Sequence, residues 1–84
     1  METFGPKLSA LRQREGLTMR ELAEALGYQS HGHLGLIEQN KRNPTLEIVL
    51  RVANYFGVRV DLLLRNDVSV EDVLAAPLNR SGAD

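Results

Sequence analysis

The sequence of 84 residues contains no cysteine. Disulfides, thiolate metal ligands and cysteine nucleophiles are therefore excluded together, and a small domain without disulfides is typical of an intracellular protein rather than a secreted one. No apolar run approaches the roughly 18–20 residues that cross a bilayer, and the first residues lack the apolar core of a signal peptide. We therefore expect a cytoplasmic protein that does not bind to membranes.

The motifs of common enzyme classes are also missing. The sequence has no Ser-His-Asp arrangement at a credible spacing, no phosphate-binding GxxxxGK[ST] loop, no HExxH zinc motif and no dinucleotide fingerprint. His31 and His33 stand two residues apart, which would place their rings on different faces of a helix and disfavours a metal site. We therefore expect no enzyme activity, no cofactor and no metal.

The net charge is small and unevenly distributed. The sequence has ten Lys and Arg residues and eleven Asp and Glu residues, which gives a formal charge of −1. This charge does not favour a general binder of polyanions. Residues 1–65 nevertheless carry nine basic and seven acidic side chains, whereas residues 66–84 carry one basic and four acidic. This split predicts one mildly basic domain over 1–65, followed by an acidic C-terminal extension over 66–84.

The pattern of helix caps and stops predicts an all-α domain of five helices followed by a short sixth one. The first helix is expected over Pro6–Glu15. Thr18 and Glu21 have the spacing of a capping box at the start of the second helix. Ser30 is the predicted N-cap of a third helix that runs to about Gln39.

The second half of the chain has similar signals. Thr45 is the predicted N-cap of a fourth helix, whose apolar positions recur at helical spacing: Leu46, Val49, Leu50, Ala53 and Phe56. A fifth helix fits Val60–Leu64. Ser69 begins a cap-like pattern for a short helix over 69–76, stopped by Ala76-Pro77, and Leu78–Asp84 is expected to be a disordered tail.

The second and third helices, over about 18–39, have the spacing of a helix-turn-helix, whose second helix lies in the DNA major groove. Short motifs surround it in a fixed order: Leu11-Arg12, Gly16-Leu17-Thr18, Glu21-Leu22-Ala23, Leu26-Gly27, Ile37-Glu38 and the run from Lys41 to Glu47. This ordered set resembles the lambda-repressor/Cro-like (XRE-type) helix-turn-helix family. The resemblance implies a five-helix domain that binds double-stranded DNA.

The resemblance also implies roles for individual residues. The base-edge candidates are the groove-facing positions of the third helix: His31, Gly32, His33 and Gly35. The phosphate candidates lie in the second helix, in the turn before the third helix and in the loop after it: Arg20, Gln29, Ser30, Lys41, Arg42 and Asn43. Lys41, Arg42 and Asn43 resemble the family's phosphate-binding loop, whereas Gln29 and Ser30 are candidates because a helix N-terminus attracts phosphate. Arg12 and Glu38 match a family ion pair that ties the first helix to the third, which is a structural role.

Three features depart from the family pattern. Met19 stands where many members have a Gln that binds a phosphate, and a thioether cannot donate that bond. The turn over residues 27–30 is one residue longer than the commonest form. Gly32 and Gly35 either let the helix backbone approach DNA closely or reflect a surface no longer used for DNA. The two histidines are either base-edge donors or solvent-exposed side chains near a turn.

We expect a sequence-specific transcriptional regulator, a repressor, that binds a palindromic operator as a homodimer. Surplus apolar side chains near the C-terminus are the candidates for the dimer interface: Leu62, Leu63, Leu64, Val70, Val73 and Leu74. They could equally cover the base of the domain.

The alternative function is a protein-interaction module on the same scaffold, with weak or lost DNA binding. Such a module would be an antitoxin-like or anti-repressor protein with a protein partner. The near-neutral charge, Met19 and the two glycines of the third helix favour this alternative. A contiguous positive surface around Lys41, Arg42, His31 and His33 would favour DNA, whereas a neutral or apolar surface there would favour a protein partner.

Overall fold

The computed structural model describes residues 3–75, and this part of the chain contains six α-helices and no strand. The helices are α1 (Phe4–Arg14), α2 (Met19–Ala25), α3 (Gly32–Glu38), α4 (Leu46–Phe56), α5 (Val60–Leu64) and α6 (Val70–Ala75). The predicted all-α fold class is confirmed. The Ala76-Pro77 stop and the disordered tail predicted at Leu78–Asp84 lie outside the described residues.

Side-chain caps set the start of three helices at the predicted positions. The Thr18 hydroxyl accepts from the Glu21 N–H at 3.1 Å, and the Glu21 carboxylate accepts from the Thr18 N–H at 2.9 Å. The Thr45 hydroxyl caps α4. Ser69 and Asp72 exchange hydrogen bonds of 3.1 and 3.3 Å at the start of α6. These three predicted caps are confirmed. They can be predicted from the sequence because a cap depends only on residues within one turn.

The predicted start of α3 is wrong. Its N-cap is His31, which makes no side-chain capping bond, and the helix begins at Gly32. The Ser30 hydroxyl instead accepts from the Gly32 N–H at 3.3 Å, two residues along the chain. Ser side chains bond nearby backbone groups in turns as readily as they cap helices, and glycine, which stands at position 32, disfavours helix formation.

The predicted buried face of α4 is partly wrong. Leu46 and Leu50 are 69% and 49% exposed. The side chains of α4 that do enter the core are Ile48, Val49, Val52, Ala53 and Phe56. Because α4 is apolar over much of its circumference, helical spacing alone fits two overlapping faces, and only packing selects between them.

Helix α1 lies at the centre of the packing. It packs against α3, α5 and α6, while α4 packs against α5 and α2 against α3. The largest fully buried apolar side chains come from all six helices: Phe4, Leu8, Leu11, Leu22, Leu34, Ile37, Val49, Val52, Leu63 and Val73. The single core therefore extends into the acidic C-terminal segment through α6.

This packing corrects two of the dimer-interface candidates. Leu63 and Val73 are 0% and 1% exposed within the core of their own chain, so they are not available to a second copy. Among the other four candidates, Leu62, Leu64 and Leu74 are half-buried against that core, and Val70 is half-buried as well. For Leu63 and Val73 the structure favours the alternative, in which the apolar surplus covers the base of the domain.

Lys7 is a buried residue that the sequence analysis missed. Its Nζ donates to the backbone oxygens of Leu62 and Arg65, both at 2.7 Å. Burial lowers the pKa of the Lys7 ammonium, and the carboxylates of Asp67 and Asp72 oppose this shift. Because the last carbonyls of a helix lack intrahelical partners, the ammonium caps the end of α5 and ties it to α1.

Candidate nucleic-acid interface

Helices α2 and α3 form a helix-turn-helix, in which the chain leaves α2 and changes direction at Gly27. The chain ends α2 with bonds from the Gly27 N–H to the Glu24 oxygen and from the Tyr28 N–H to the Ala23 oxygen. Gly27 has φ +88°, in the left-handed region that favours glycine. The residues between α2 and α3 then lead into the exposed N-terminal part of α3.

The C-terminal end of α3 is tied to α1 by an ion pair. Arg12 Nε donates to Glu38 Oε2 at 2.8 Å, and Arg12 Nη2 donates to Glu38 Oε1 at 3.2 Å. Arg12 Nη1 also donates to the Leu17 oxygen at 2.9 Å, in the segment that leads into α2. The structure thus brings Arg12 and Glu38 together, and the same guanidinium contacts the end of α3 and the segment that precedes α2.

Gly5 lets α1 approach the end of α3 closely. A Cβ atom at Gly5 would lie 2.8 Å from the Glu38 backbone oxygen and 2.7 Å from Asn40 Oδ1. These distances are too short for any side chain. The sequence analysis did not identify this requirement, because it depends on a contact between residues more than thirty positions apart.

The two glycines of α3 have no such neighbours. A Cβ at Gly35 would meet nothing within 4 Å, and one at Gly32 would meet only the Ser30 hydroxyl at 3.8 Å. Neither glycine has a positive φ. The folded domain therefore does not require glycine at either position.

The remaining surface of α3 is mixed in polarity. His31 is exposed and His33 is half-buried. Leu36, which the sequence analysis missed, is 39% exposed. Leu36 follows His33 by three residues and Gly32 by four, so these residues share one face of the helix. That spacing is the signal by which the sequence could have revealed Leu36.

The arginines of the domain are mostly paired with carboxylates. Five of them form ion pairs: Arg12–Glu38, Arg14–Glu15, Arg51–Glu47, Arg59–Asp61 and Arg65–Asp67. The remaining exposed cations are Arg20, Lys41 and Arg42, and none of them has a carboxylate partner among residues 3–75. Arg20 lies in the first turn of α2, and the other two lie in the loop between α3 and α4. All three are phosphate candidates from the sequence.

The other phosphate candidates flank the same two helices. Gln29 and Ser30 are exposed in the turn before α3, and Asn43 is exposed in the loop after it. Met19, in contrast, packs partly buried against the core. The Met19 side chain therefore contributes to packing at the start of α2.

Comparison with known proteins gives the family of this fold. A helix-turn-helix family model matches residues 8–63. The chain belongs to the XRE-type helix-turn-helix family. The predicted resemblance is thus confirmed, and the family is one of DNA-binding transcriptional regulators.

One relative and two solved structures show the extent of the similarity. The HTH-type transcriptional regulator ImmR of Bacillus subtilis is 32% identical over 65 residues, 77% of this chain, and the match spans only 50% of ImmR. The N-terminal DNA-binding domain of SinR from Bacillus subtilis has a TM-score of 0.71 and 28% identity, covering 80% of this chain and 97% of that domain. The restriction-modification controller protein C.AhdI from Aeromonas hydrophila has a TM-score of 0.66 and 28% identity, covering 75% and 94% of the two chains.

No helix within residues 3–75 combines the length and the hydropathy that a membrane span needs.

Proposed function

We propose that this chain is a sequence-specific transcriptional repressor that places α3 in the major groove of duplex DNA. The observation that carries the proposal is the position of its unpaired positive charge. Arg20, Lys41 and Arg42 lie on α2 and beside α3, whereas the other arginines within residues 3–75 are paired with carboxylates. Unpaired cations at these places are suited to DNA phosphates on either side of a groove.

The phosphate contacts supply affinity without reading the sequence. Each Lys or Arg that neutralises a phosphate releases counterions, so binding weakens as salt rises. In this proposal Arg20, Lys41 and Arg42 contribute charge, while the polar side chains and amides of Gln29, Ser30 and Asn43 fix the register on the duplex. Affinity therefore falls as salt rises, and with so few cations it is modest for one domain.

Base readout in this proposal comes from the exposed face of α3. His31 and His33 offer ring N–H donors to guanine N7 or O6. Leu36 offers an apolar contact to the methyl group of thymine. Gly32 and Gly35 leave the backbone bare, which allows α3 to approach the base edges closely.

The operator contacts double if two copies bind together. A homodimer would match a palindromic operator whose half-sites lie about 34–36 Å apart, one helical turn. The half-buried apolar side chains of α5 and α6 are the proposed interface: Leu62, Leu64, Val70 and Leu74. Sedimentation velocity with and without operator DNA measures this state, and a monomer on the operator would contradict it.

Selection from a random duplex library with the wild-type chain tests the proposed function. A palindromic consensus is expected. His33→Ala should then change the preference at particular base pairs while leaving affinity for random duplex nearly unchanged. If no sequence is enriched and no duplex is bound at low salt, the repressor proposal fails. The protein-interaction module, with an antitoxin-like or anti-repressor role, would then be the better account.

A further inference from the structure

We propose that Arg51 is a positioning residue that holds the turn between α2 and α3 against α4, and thereby sets the placement of α3. Its effect on DNA recognition rests on the proposed function. Its effect on the turn does not, because it follows from contacts within the chain.

The Arg51 guanidinium uses all three of its nitrogens to join two elements. Nη1 donates to the Leu26 backbone oxygen at 2.7 Å, at the end of α2. Nε and Nη2 donate to Glu47 Oε2 at 3.1 and 2.8 Å, within α4. The guanidinium carbon also lies 5.3 Å from the centre of the Tyr28 ring, in the turn itself, at a distance where cation–π attraction operates.

The shape of the turn admits this guanidinium. The Leu26 carbonyl lies at the end of α2, where helix oxygens have no intrahelical partner. A Cβ at the next residue, Gly27, would lie 2.7 Å from Arg51 Nη1. Glycine at position 27 therefore provides both the left-handed φ that ends α2 and the space through which Arg51 reaches the carbonyl.

Direct packing does not fill the region beside this contact. An open depression of about 380 Å³ lies between the turn, α3 and the start of α4, lined by Tyr28, Gln29, Ser30, His33, Leu34, Thr45, Glu47 and Ile48. Tyr28 on the turn and Glu47 on α4 both line the depression, and both contact Arg51. Leu26 is buried in the core and Tyr28 packs partly against it. Beside this packing, where side chains leave the depression open, the polar contacts of Arg51 add a direct link between the turn and α4.

The other paired arginines show why Arg51 differs. Arg14, Arg59 and Arg65 each pair with a carboxylate one or two residues away, so their ion pairs join no separate elements. Arg12 joins the C-terminal end of α3 to α1. Arg51 joins the turn that precedes α3 to α4. One arginine thus holds the C-terminal end of α3, and another holds the turn that precedes α3.

The first test measures the turn without DNA. Arg51→Met keeps the apolar stem but removes the guanidinium, and the exposed Arg51–Glu47 pair contributes little to global stability, so the variant should fold. We expect hydrogen exchange of the Gly27 and Tyr28 amides to accelerate about tenfold or more relative to amides of α1. The control Arg59→Met, which removes a local pair of similar exposure, should leave these amides unchanged.

The second test measures recognition. Anisotropy is recorded on a duplex selected by the wild-type chain and on random duplex. Arg51→Met should lower the ratio of the two affinities about tenfold, with little change in the salt slope on random duplex. Arg51→Lys keeps the charge but cannot contact Leu26 and Glu47 together as the guanidinium does. Its affinity ratio should lie between those of the wild type and Arg51→Met.

The exchange test and the binding test distinguish the positioning role of Arg51 from the proposed function. Wild-type exchange rates at Gly27 and Tyr28 in both Arg51 variants would overturn the positioning role, and so would an unchanged affinity ratio. If the wild-type chain binds no duplex at all, the proposed function fails, while the exchange measurement still decides the role of Arg51 in the turn. If Arg51→Met does not fold, Arg51→Lys supplies the same comparison.

Discussion

Arg12 and Glu38 meet through two parallel hydrogen bonds of 2.8 and 3.2 Å, with side chains only 18% and 9% exposed. The pair therefore ties α3 to α1 in a largely desolvated place. Arg12→Ala leaves the Glu38 carboxylate buried without its partner, and we expect the free energy of unfolding to fall by about 3 kcal/mol. Urea denaturation followed by circular dichroism measures this loss.

Arg14→Ala is the matched control for that experiment. Arg14 lies on the same helix, but its pair with the adjacent Glu15 is more exposed, at 31% and 48% of the two side chains. Such a surface pair contributes roughly 0–1 kcal/mol. Equal losses in the two variants would show that the Arg12–Glu38 pair has no special role in holding α3.

Gly35→Ala should separate stability from DNA binding. Because a Cβ at Gly35 meets nothing within 4 Å, alanine should raise the free energy of unfolding by about 0.5–1 kcal/mol through its helix propensity. If the bare backbone lies against DNA, affinity for a selected duplex should nevertheless fall. Unchanged or tighter binding would contradict close approach of α3 at this position.

Gly5→Ala is expected to have the opposite effect on stability. The added Cβ would press against the Glu38 oxygen at 2.8 Å and against Asn40 Oδ1 at 2.7 Å. Relief requires α1 and the end of α3 to move apart, which typically costs about 1–3 kcal/mol in a packed region. A thermal melt shows the effect, and a stabilised Gly5→Ala protein would mean that the α1–α3 contact is looser than described.

Lys7 predicts a pH dependence. Burial lowers the pKa of its ammonium below the ordinary 10.5, so the unfolded chain keeps this proton to a higher pH than the native chain. Between the two pKa values the unfolded state binds more protons, and the unfolding free energy therefore rises with pH. Below the native pKa the contribution is constant.

Lys7→Met isolates this contribution above neutral pH, because Asp67, whose pKa is lowered in part by Lys7, is fully ionised throughout that range. The unfolding free energy of the wild type minus that of the variant should increase as the pH rises from neutrality toward 10.5. Denaturant unfolding at several pH values measures it. If this difference stays constant or decreases as the pH rises, the Lys7 ammonium is not desolvated in the native state.

The features that were predictable from the sequence are those with local causes. The caps at Thr18, Thr45 and Ser69 depend on residues within one turn, and α5 matches its predicted bounds of Val60–Leu64. The predicted start of α3 is wrong because the sequence does not show which bond the Ser30 hydroxyl makes. A serine at this place can cap a helix or bond to the backbone of a turn, and in the structure it does the second.

The remainder depended on contacts between distant segments. Lys7 reaches carbonyls 55 and 58 residues away, and Arg51 reaches one 25 residues away. No periodicity marks either as special, since both resemble ordinary surface cations in the sequence. Among the site candidates, the sequence could name Arg20, Lys41 and Arg42, but only the structure shows that the other exposed arginines of the described part of the chain are paired with carboxylates.

The most direct test of this account is the salt dependence of binding to random duplex DNA, measured by fluorescence anisotropy. Lys41→Ala/Arg42→Ala is compared with Arg59→Ala/Arg65→Ala, which removes the same charge from arginines already paired with Asp61 and Asp67. We predict that the first pair weakens binding and reduces the slope of log affinity against log salt by about 2, while the second leaves it near wild type. Equal slopes in the two variants, or no binding by the wild type at low salt, would contradict a DNA-binding surface built on the unpaired cations around α3.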